Sequence, residues 1–175
     1  MNSDAILPII QKDLGEWILR EHHFLDENTI ETEKAHLKKV LLYLKNNLGF
    51  TVLMDLTGID YLVPIKQTKV LYWLHHPIHF YRIRVVVYVK REEKLPSSVD
   101  LWEGANWYER ELFDLFGVHF EGHPDLKRIL MPDDWKGHPL QKDYALTEQP
   151  VEFKHGVKPK VPSDIIHVKR QQKMY

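Results

Sequence analysis

Ten residues constrain the fold of this chain more than any others. From 81 to 90, Tyr81, Ile83, Val85, Val87 and Val89 fall on one face of an extended backbone, and Arg82 and Arg84 begin the other. That period of two belongs to a strand with one face on a core. One strand needs neighbours, and the sequence supplies candidates. Residues 69–75 read as a strand. In 50–56, Phe50, Val52, Met54 and Leu56 alternate with Thr51, Leu53 and Asp55. Thr57-Gly58-Ile59-Asp60-Tyr61 then reads as a turn-like exit. Residues 17–24 and 28–32 are further strand candidates, the first interrupted at Ile18-Leu19. Tight hairpin signals are missing, so connectors longer than two residues are expected.

Two helices precede or divide these strands. Ser3 and Asp4 are N-cap candidates for the first; Ile6, Leu7, Ile10 and Leu14 share a side, and Gly15 ends it. The second covers 33–47, with Leu37, Val40, Leu41 and Leu44 as its apolar stripe and Lys34, Lys38, Lys39 and Lys45 toward water. The order is not a clean βαβ alternation. It predicts an α+β fold, a mixed or antiparallel sheet with helices packed on one face.

Later, Pro96-Ser97-Ser98 is expected to cap a short helix through Val99, Leu101 and Trp102, and Asn106 to cap a helix over 107–116 that Gly117 ends. After Phe120, six prolines from Pro124 to Pro162 replace periodicity. Residues 151–175 carry six Lys and Arg against two acids. The expected organisation is a globular domain over 1–120 and an extended, proline-rich segment over 121–175 that wraps a partner.

Composition narrows the chemistry. The net charge of −1 argues against a nucleic-acid-binding domain dominated by phosphate contacts. The chain has no cysteine, which excludes disulfides and thiolate-held iron–sulfur or zinc sites. The opening Met1-Asn2-Ser3-Asp4 lacks the basic and apolar regions of a leader, and no apolar run approaches a membrane span, so a cytosolic chain is expected.

On a wheel with Trp107 at 0°, Tyr108, Leu112, Phe113, Leu115 and Phe116 form a broad apolar face. Arg110, Glu111 and Asp114 lie opposite, and Arg110 and Asp114 form an (i, i+4) pair. Glu109 lies near 200°, inside the apolar sector. A carboxylate there must be paired, carry a raised pKa or face a partner, and Lys127 and Arg128 are the candidate counter-charges. Glu109 and Glu111 stand about 160° apart, so they cannot share one substrate as acid and base. His119, His123 and His138 would be candidate metal ligands, but Gly122 and Pro124 forbid the helix their spacing would need. His75, His76 and His79 read as a surface loop around Pro77. Each Gly-His-Pro step, at 122–124 and 137–139, reads as a turn device. Phosphate-loop, dinucleotide and nucleophile-elbow motifs are absent. Aromatics with mixed charge suit an interface.

These residues carry a resemblance. Glu109-Arg110-Glu111, Asp114-Leu115-Phe116, His123-Pro124, Lys127, Arg128-Ile129-Leu130-Met131-Pro132, Gly137-His138-Pro139-Leu140 and Lys142-Asp143-Tyr144, with the 55–61 stretch, resemble the 30-kDa subunit of proton-translocating NADH:quinone oxidoreductase, respiratory complex I. The similarity runs from about residue 50 to 146. It departs at Gln141, where the family usually has arginine, and at Ala145, where it usually has proline. The resemblance implies a non-catalytic scaffold of the peripheral arm, on the cytoplasmic side of a bacterial inner membrane. It implies an oxidoreductase only as part of the complex, which uses NADH, FMN, iron–sulfur clusters and quinone. No catalytic, cofactor or metal residue is expected in this chain. The implied partners are the large quinone-cavity subunit and neighbouring iron–sulfur subunits, with membrane association only through them. Glu109, Arg110, Glu111 and Asp114 would fix the helix and dock the neighbour, while Lys127, Arg128, Lys142 and Asp143 would hold the extended end. The alternatives are the equivalent scaffold of a membrane-bound hydrogenase, formate hydrogenlyase or plastid-type dehydrogenase, and a free-standing carboxylate-dependent enzyme.

Overall fold

The computed structural model of the chain describes residues 6–25, 27–62 and 66–144. The proposed caps Ser3 and Asp4, the departure at Ala145 and the tail over 145–175 lie outside the described residues.

Helix α1 (Ile6–Leu14) leads through a 3-10 turn (Gly15–Trp17) into β1 (Ile18–Phe24) and β2 (Glu27–Thr32). Helix α2 (Lys34–Asn46) separates these from β3 (Val52–Tyr61), β4 (Gln67–His76) and β5 (Tyr81–Lys90). The five strands form one mixed sheet in the order β1-β2-β5-β4-β3. Only β2 and β5 run parallel; the other neighbours are antiparallel. The fold is therefore α+β, as the pattern of elements predicts. Two residues join β1 to β2, with Leu25 at φ 48°. The expectation of longer connectors fails there, because a leucine holds a conformation that glycine or asparagine would have advertised.

The core lies on one face of the sheet. Ile30, Val70, Tyr72, Leu74, Ile83, Val85, Val87 and Val89 are buried there against Ile6, Ile10 and Leu14 of α1 and Leu37, Val40, Leu41 and Leu44 of α2. The opposite face carries Arg84 over the Trp73 ring at 5.2 Å and Tyr61 beside Tyr88.

Strand β3 departs from the simple alternation for a physical reason. The register against β4 shifts between Leu53 and Asp55, leaving Met54 as an extra residue. Such a bulge exchanges the faces that follow it. Val52 and Met54 are exposed, whereas Leu56 is buried. The strand also continues through Thr57, Gly58, Ile59, Asp60 and Tyr61, where a turn was expected. Gly58 serves close approach rather than a turn: a Cβ there would stand 2.8 Å from the Leu112 side chain.

Beyond β5, β6 (Lys94–Pro96) pairs in parallel with β7 (His119–Glu121), and α3 (Ala105–Phe116) lies between them in sequence. The short helix expected after Ser97-Ser98 is a single turn, closed by the N–H groups of Leu101 and Trp102 on the Ser98 carbonyl. Lys38 and Lys45 of α2 tie this turn down through the Ser97 and Leu101 carbonyls. His75 and His76 belong to the end of β4 rather than to a loop, and His76 accepts the N–H groups of Ile78 and His79.

Candidate functional site

Helix α3 organises the motif. Its apolar side puts Leu112 and Phe116 into the core against β3. Gly117 ends it at φ 75°, donating to the Phe113 carbonyl while Val118 N–H returns to that of Leu112. Asn106 is not the cap; it lies within the first turn, because the helix begins at Ala105 with Gly104 before it.

Two carboxylates of α3 are fully buried, and the helix wheel anticipates only one. Glu109 accepts from the Ser97 hydroxyl (2.7 Å), the Ser98 N–H (2.6 Å) and the Ser98 hydroxyl (2.7 Å). Its expected cations, Lys127 and Arg128, are elsewhere. Burial pushes the Glu109 carboxyl up, and the serine bonds only partly offset it. Among the described residues, the buried Tyr72 hydroxyl has no hydrogen-bond partner. That phenol is raised well above its ordinary value, first by burial and then by the Glu109 charge.

Asp114, assigned to the polar side by the wheel, is also buried. Segment 122–144 lies over that side and closes it. The Asp114 carboxylate takes Arg128 Nη1 on one oxygen (2.6 Å) and the N–H groups of Ile129, Leu130 and Met131 on the other (3.0, 2.8 and 2.8 Å). Burial alone would raise its pKa; the Met131 N–H, Arg128 and the two other N–H groups outweigh it and hold the pKa low. The expected Arg110–Asp114 pair along the helix is replaced. Arg110 instead donates to the Lys127 and Arg128 carbonyls and lies over the Trp107 ring.

Arg128 is the hub of the segment. Besides Asp114 it donates to the Trp135 and Gly137 carbonyls at 2.9 and 3.0 Å, using the fixed fork that only a guanidinium has. Both Gly-His-Pro steps turn at a left-handed glycine, Gly122 at φ 83° and Gly137 at φ 82°. His123 contacts the Asn106 carbonyl at 3.3 Å and accepts the Asp125 N–H; His138 lies 2.9 Å from the Asp114 carbonyl. Pro124 is exposed and Pro139 half-buried beside these turns. Gln141 donates to the Phe116 carbonyl at 2.7 Å, so this departure closes the end of α3. Lys142 contributes its backbone N–H to Asp60 at 2.8 Å, and Asp143 pairs with Arg91 at 2.6 Å. Arg91 also reaches Asp60, which makes a two-acid clamp with one guanidinium. Lys127 pairs locally with Asp125 on the surface, and Glu111 is exposed.

The twelve motif residues thus divide by what they touch. Glu109 faces the Ser97-Ser98 turn, while Arg110, Asp114, His123, Arg128, His138, Lys142 and Asp143 bind segment 122–144 to the body. Ser97, Ser98 and Arg91 were not expected in this constellation. The serine pair resembles a cap, and Arg91 has no sequence pattern around it. Among the described residues, no three His, Asp or Glu side chains are grouped to hold a metal ion. No described helix is long and apolar enough to cross a membrane. Large apolar groups remain outside: Trp107 is 60% exposed, Leu130 62% and Leu140 48%.

Residues 30–150 match the family described as respiratory-chain NADH dehydrogenase, 30 Kd subunit. The chain belongs to that family. Similar proteins include an NADH-quinone oxidoreductase subunit of Roseiflexus castenholzii, 36% identical over 87% of this chain and 90% of that one. An NADH-quinone oxidoreductase subunit of Chelativorans sp. is 43% identical over 70% of this chain and 62% of its own. A probable mitochondrial NADH-ubiquinone oxidoreductase 30.4 kDa subunit of Candida maltosa is 41% identical over 79% of this chain. Against that longer protein the match spans 51% of its length. A chain of the membrane-bound sulfane sulfur reductase, an archaeal respiratory membrane complex, shares the fold with a TM-score of 0.74 at 18% identity, over 84% of this chain and 88% of that one. The 30 Kd family match takes in the whole of α3 and segment 122–144.

Proposed function

We propose that this family member is a structural and assembly subunit of the peripheral arm of a bacterial NADH:quinone oxidoreductase. The complex passes electrons from NADH through FMN and iron–sulfur clusters to quinone and translocates protons. This chain supplies a rigid face for the large quinone-cavity subunit and its iron–sulfur neighbours, and it holds no redox group. It reaches the cytoplasmic side of the membrane only through those partners.

One observation carries the reading. Asp114 and Arg128 are turned inward to fix segment 122–144 on α3, while Trp107, Leu130 and Leu140 remain outward. Large apolar anchors on a pre-organised face suit a lasting protein interface. Purification from membranes through a tag on this chain tests it. The expected companions are the large quinone-cavity subunit and its cluster-bearing neighbour. Trp107→Asp with Leu130→Asp should cut their recovery about tenfold or more while the free chain keeps its unfolding midpoint. A chain that leaves the membranes alone, or with hydrogenase subunits, overturns the assignment.

A further inference from the structure

Among the described residues, strand β1 lies at the edge of the sheet, hydrogen-bonded on one side to β2. Every residue from 19 to 25 is exposed, including Phe24 and Leu25 at 69% and 79%. No described helix lies over this strand, and it carries no proline. Such an edge is a template for one more strand.

The order of its side chains names the occupant. When identical strands pair antiparallel about a two-fold axis at His22, residues whose numbers sum to 44 stand opposite each other. Arg20 then meets Phe24 of the other copy, a cation against an aromatic face. Glu21 meets His23, an acid against an imidazole. Leu19 comes opposite Leu25 just beyond the ends, and His22 meets itself. Two-residue shifts of the register put the axis on Glu21 or His23. An axis at Glu21 sets Glu21 against Glu21 and Arg20 against His22; one at His23 loses the pairing of Arg20 with Phe24. Within its own sheet Arg20 already stands across from Glu31, and Glu27, across from Phe24, pairs with Arg84.

We infer that β1 is a self-complementary edge through which two copies of the free chain join their five-stranded sheets into one ten-stranded sheet. The contact is isologous, so each cross-strand pair except His22 with itself occurs twice. One strand on each side is a small interface, and the dissociation constant should fall on the order of 100 µM, the weak regime of contacts below about 1,200 Å². This inference stands apart from the assignment to the respiratory complex; its failure leaves that assignment intact.

Sedimentation of the full chain from about 10 to 500 µM, bracketing that constant, reads the outcome. A reversible monomer–dimer equilibrium is expected, with amide exchange of 20–24 slowed about fivefold or more at the high concentration. Glu21→Lys places a cation opposite His23 and should weaken dimerisation about tenfold. Because Glu21 is exposed, the unfolding midpoint should stay within about two degrees, the shift a surface substitution gives in a chain of this size. A chain that stays monomeric throughout overturns the inference. So does a dimer that Glu21→Lys leaves unchanged, or one whose 20–24 amides exchange as fast as in the monomer.

Discussion

The two buried carboxylates of α3 stand five positions apart, and their surroundings solve the same problem in opposite ways. Asp114 keeps its charge, because a guanidinium and three consecutive backbone N–H groups converge on it. Among the described residues, Glu109 has no cation within bonding distance and is met by two hydroxyls and one N–H. Burial therefore governs the pKa of Glu109, and hydrogen bonding governs that of Asp114. Burial works against the charge of the first, while the guanidinium and the N–H groups favour the charge of the second. The difference follows function within the fold. Asp114 anchors a segment with no regular elements of its own, which needs a strong directional tie. Glu109 joins a one-turn connector to a helix already seated in the core.

The largest test removes the Asp114 carboxylate. Asp114→Ala leaves Arg128 and three N–H groups without their acceptor. The expected loss is about 3–5 kcal/mol, the cost of breaking a buried ion pair from one side. Urea unfolding followed by tryptophan fluorescence checks it. Trp135 lies within the tethered segment, and its backbone carbonyl accepts from Arg128. Local proteolysis at 122–144 should therefore accelerate before the core unfolds. A loss below about 1 kcal/mol, the range of an exposed pair, would erase the contrast between the two sites.

Next comes Arg128→Lys, which keeps the charge and discards the fork. Four of the contacts come from one planar group: the carboxylate and carbonyl of Asp114 and the carbonyls of Trp135 and Gly137. A lysine can satisfy one or two of them. A loss of about 2 kcal/mol is expected, from two stranded carbonyls at about 1 kcal/mol each. Equal stability of the two proteins would mean that charge alone holds the segment.

How much of this was legible beforehand depends on range. Strands β4 and β5 and helices α1 and α2 announce themselves by periodicity, since each buries one face of a regular element. Glu109 is legible as an anomaly on the wheel, because a charge in an apolar sector is a local contradiction. Its partners are not, since Ser97 and Ser98 read equally well as a helix cap. Asp114 was misplaced for the opposite reason. It sits on the polar side of an isolated helix, and only the later segment covers that side. Gly58 was read as a turn because a glycine's tolerance of close helix approach leaves no local trace. Met54 hid the bulge, since an extra residue in a strand looks like one more position in the alternation.

Acid separates the two carboxylates by sign. Asp114 has a pKa held below its ordinary 3.8, so its ion pair contributes stability above that value and loses it as pH falls through the lower folded value. Glu109 has a pKa raised above its ordinary 4.5, so the folded chain binds its proton more tightly than the unfolded chain does. Its ionisation therefore lowers stability progressively as pH rises from 4.5 through the raised value. Unfolding midpoints from about pH 3 to 8, spanning both carboxylate ranges, with Asp114→Asn and Glu109→Gln beside the parent, resolve the two. The advantage of the parent over Asp114→Asn should vanish only below about pH 4, near the free aspartate value.

Glu109→Gln should have the smallest effect and is the most pointed test. The amide oxygen can accept the Ser98 N–H, and the amide NH₂ can donate to a serine hydroxyl, which is donor and acceptor at once. No cation is stranded by the change. Near pH 4 the variant should match the parent within about 0.5 kcal/mol, the range of a substitution that leaves every group bonded. At pH 7 it should equal or exceed the parent by up to about 1 kcal/mol, because the cost of burying an ionised carboxylate has gone. A loss above about 2 kcal/mol at pH 7 would mean that the serine bonds hold a charge as firmly as the guanidinium does at Asp114. The two sites would then be alike, and burial would not be what sets Glu109 apart.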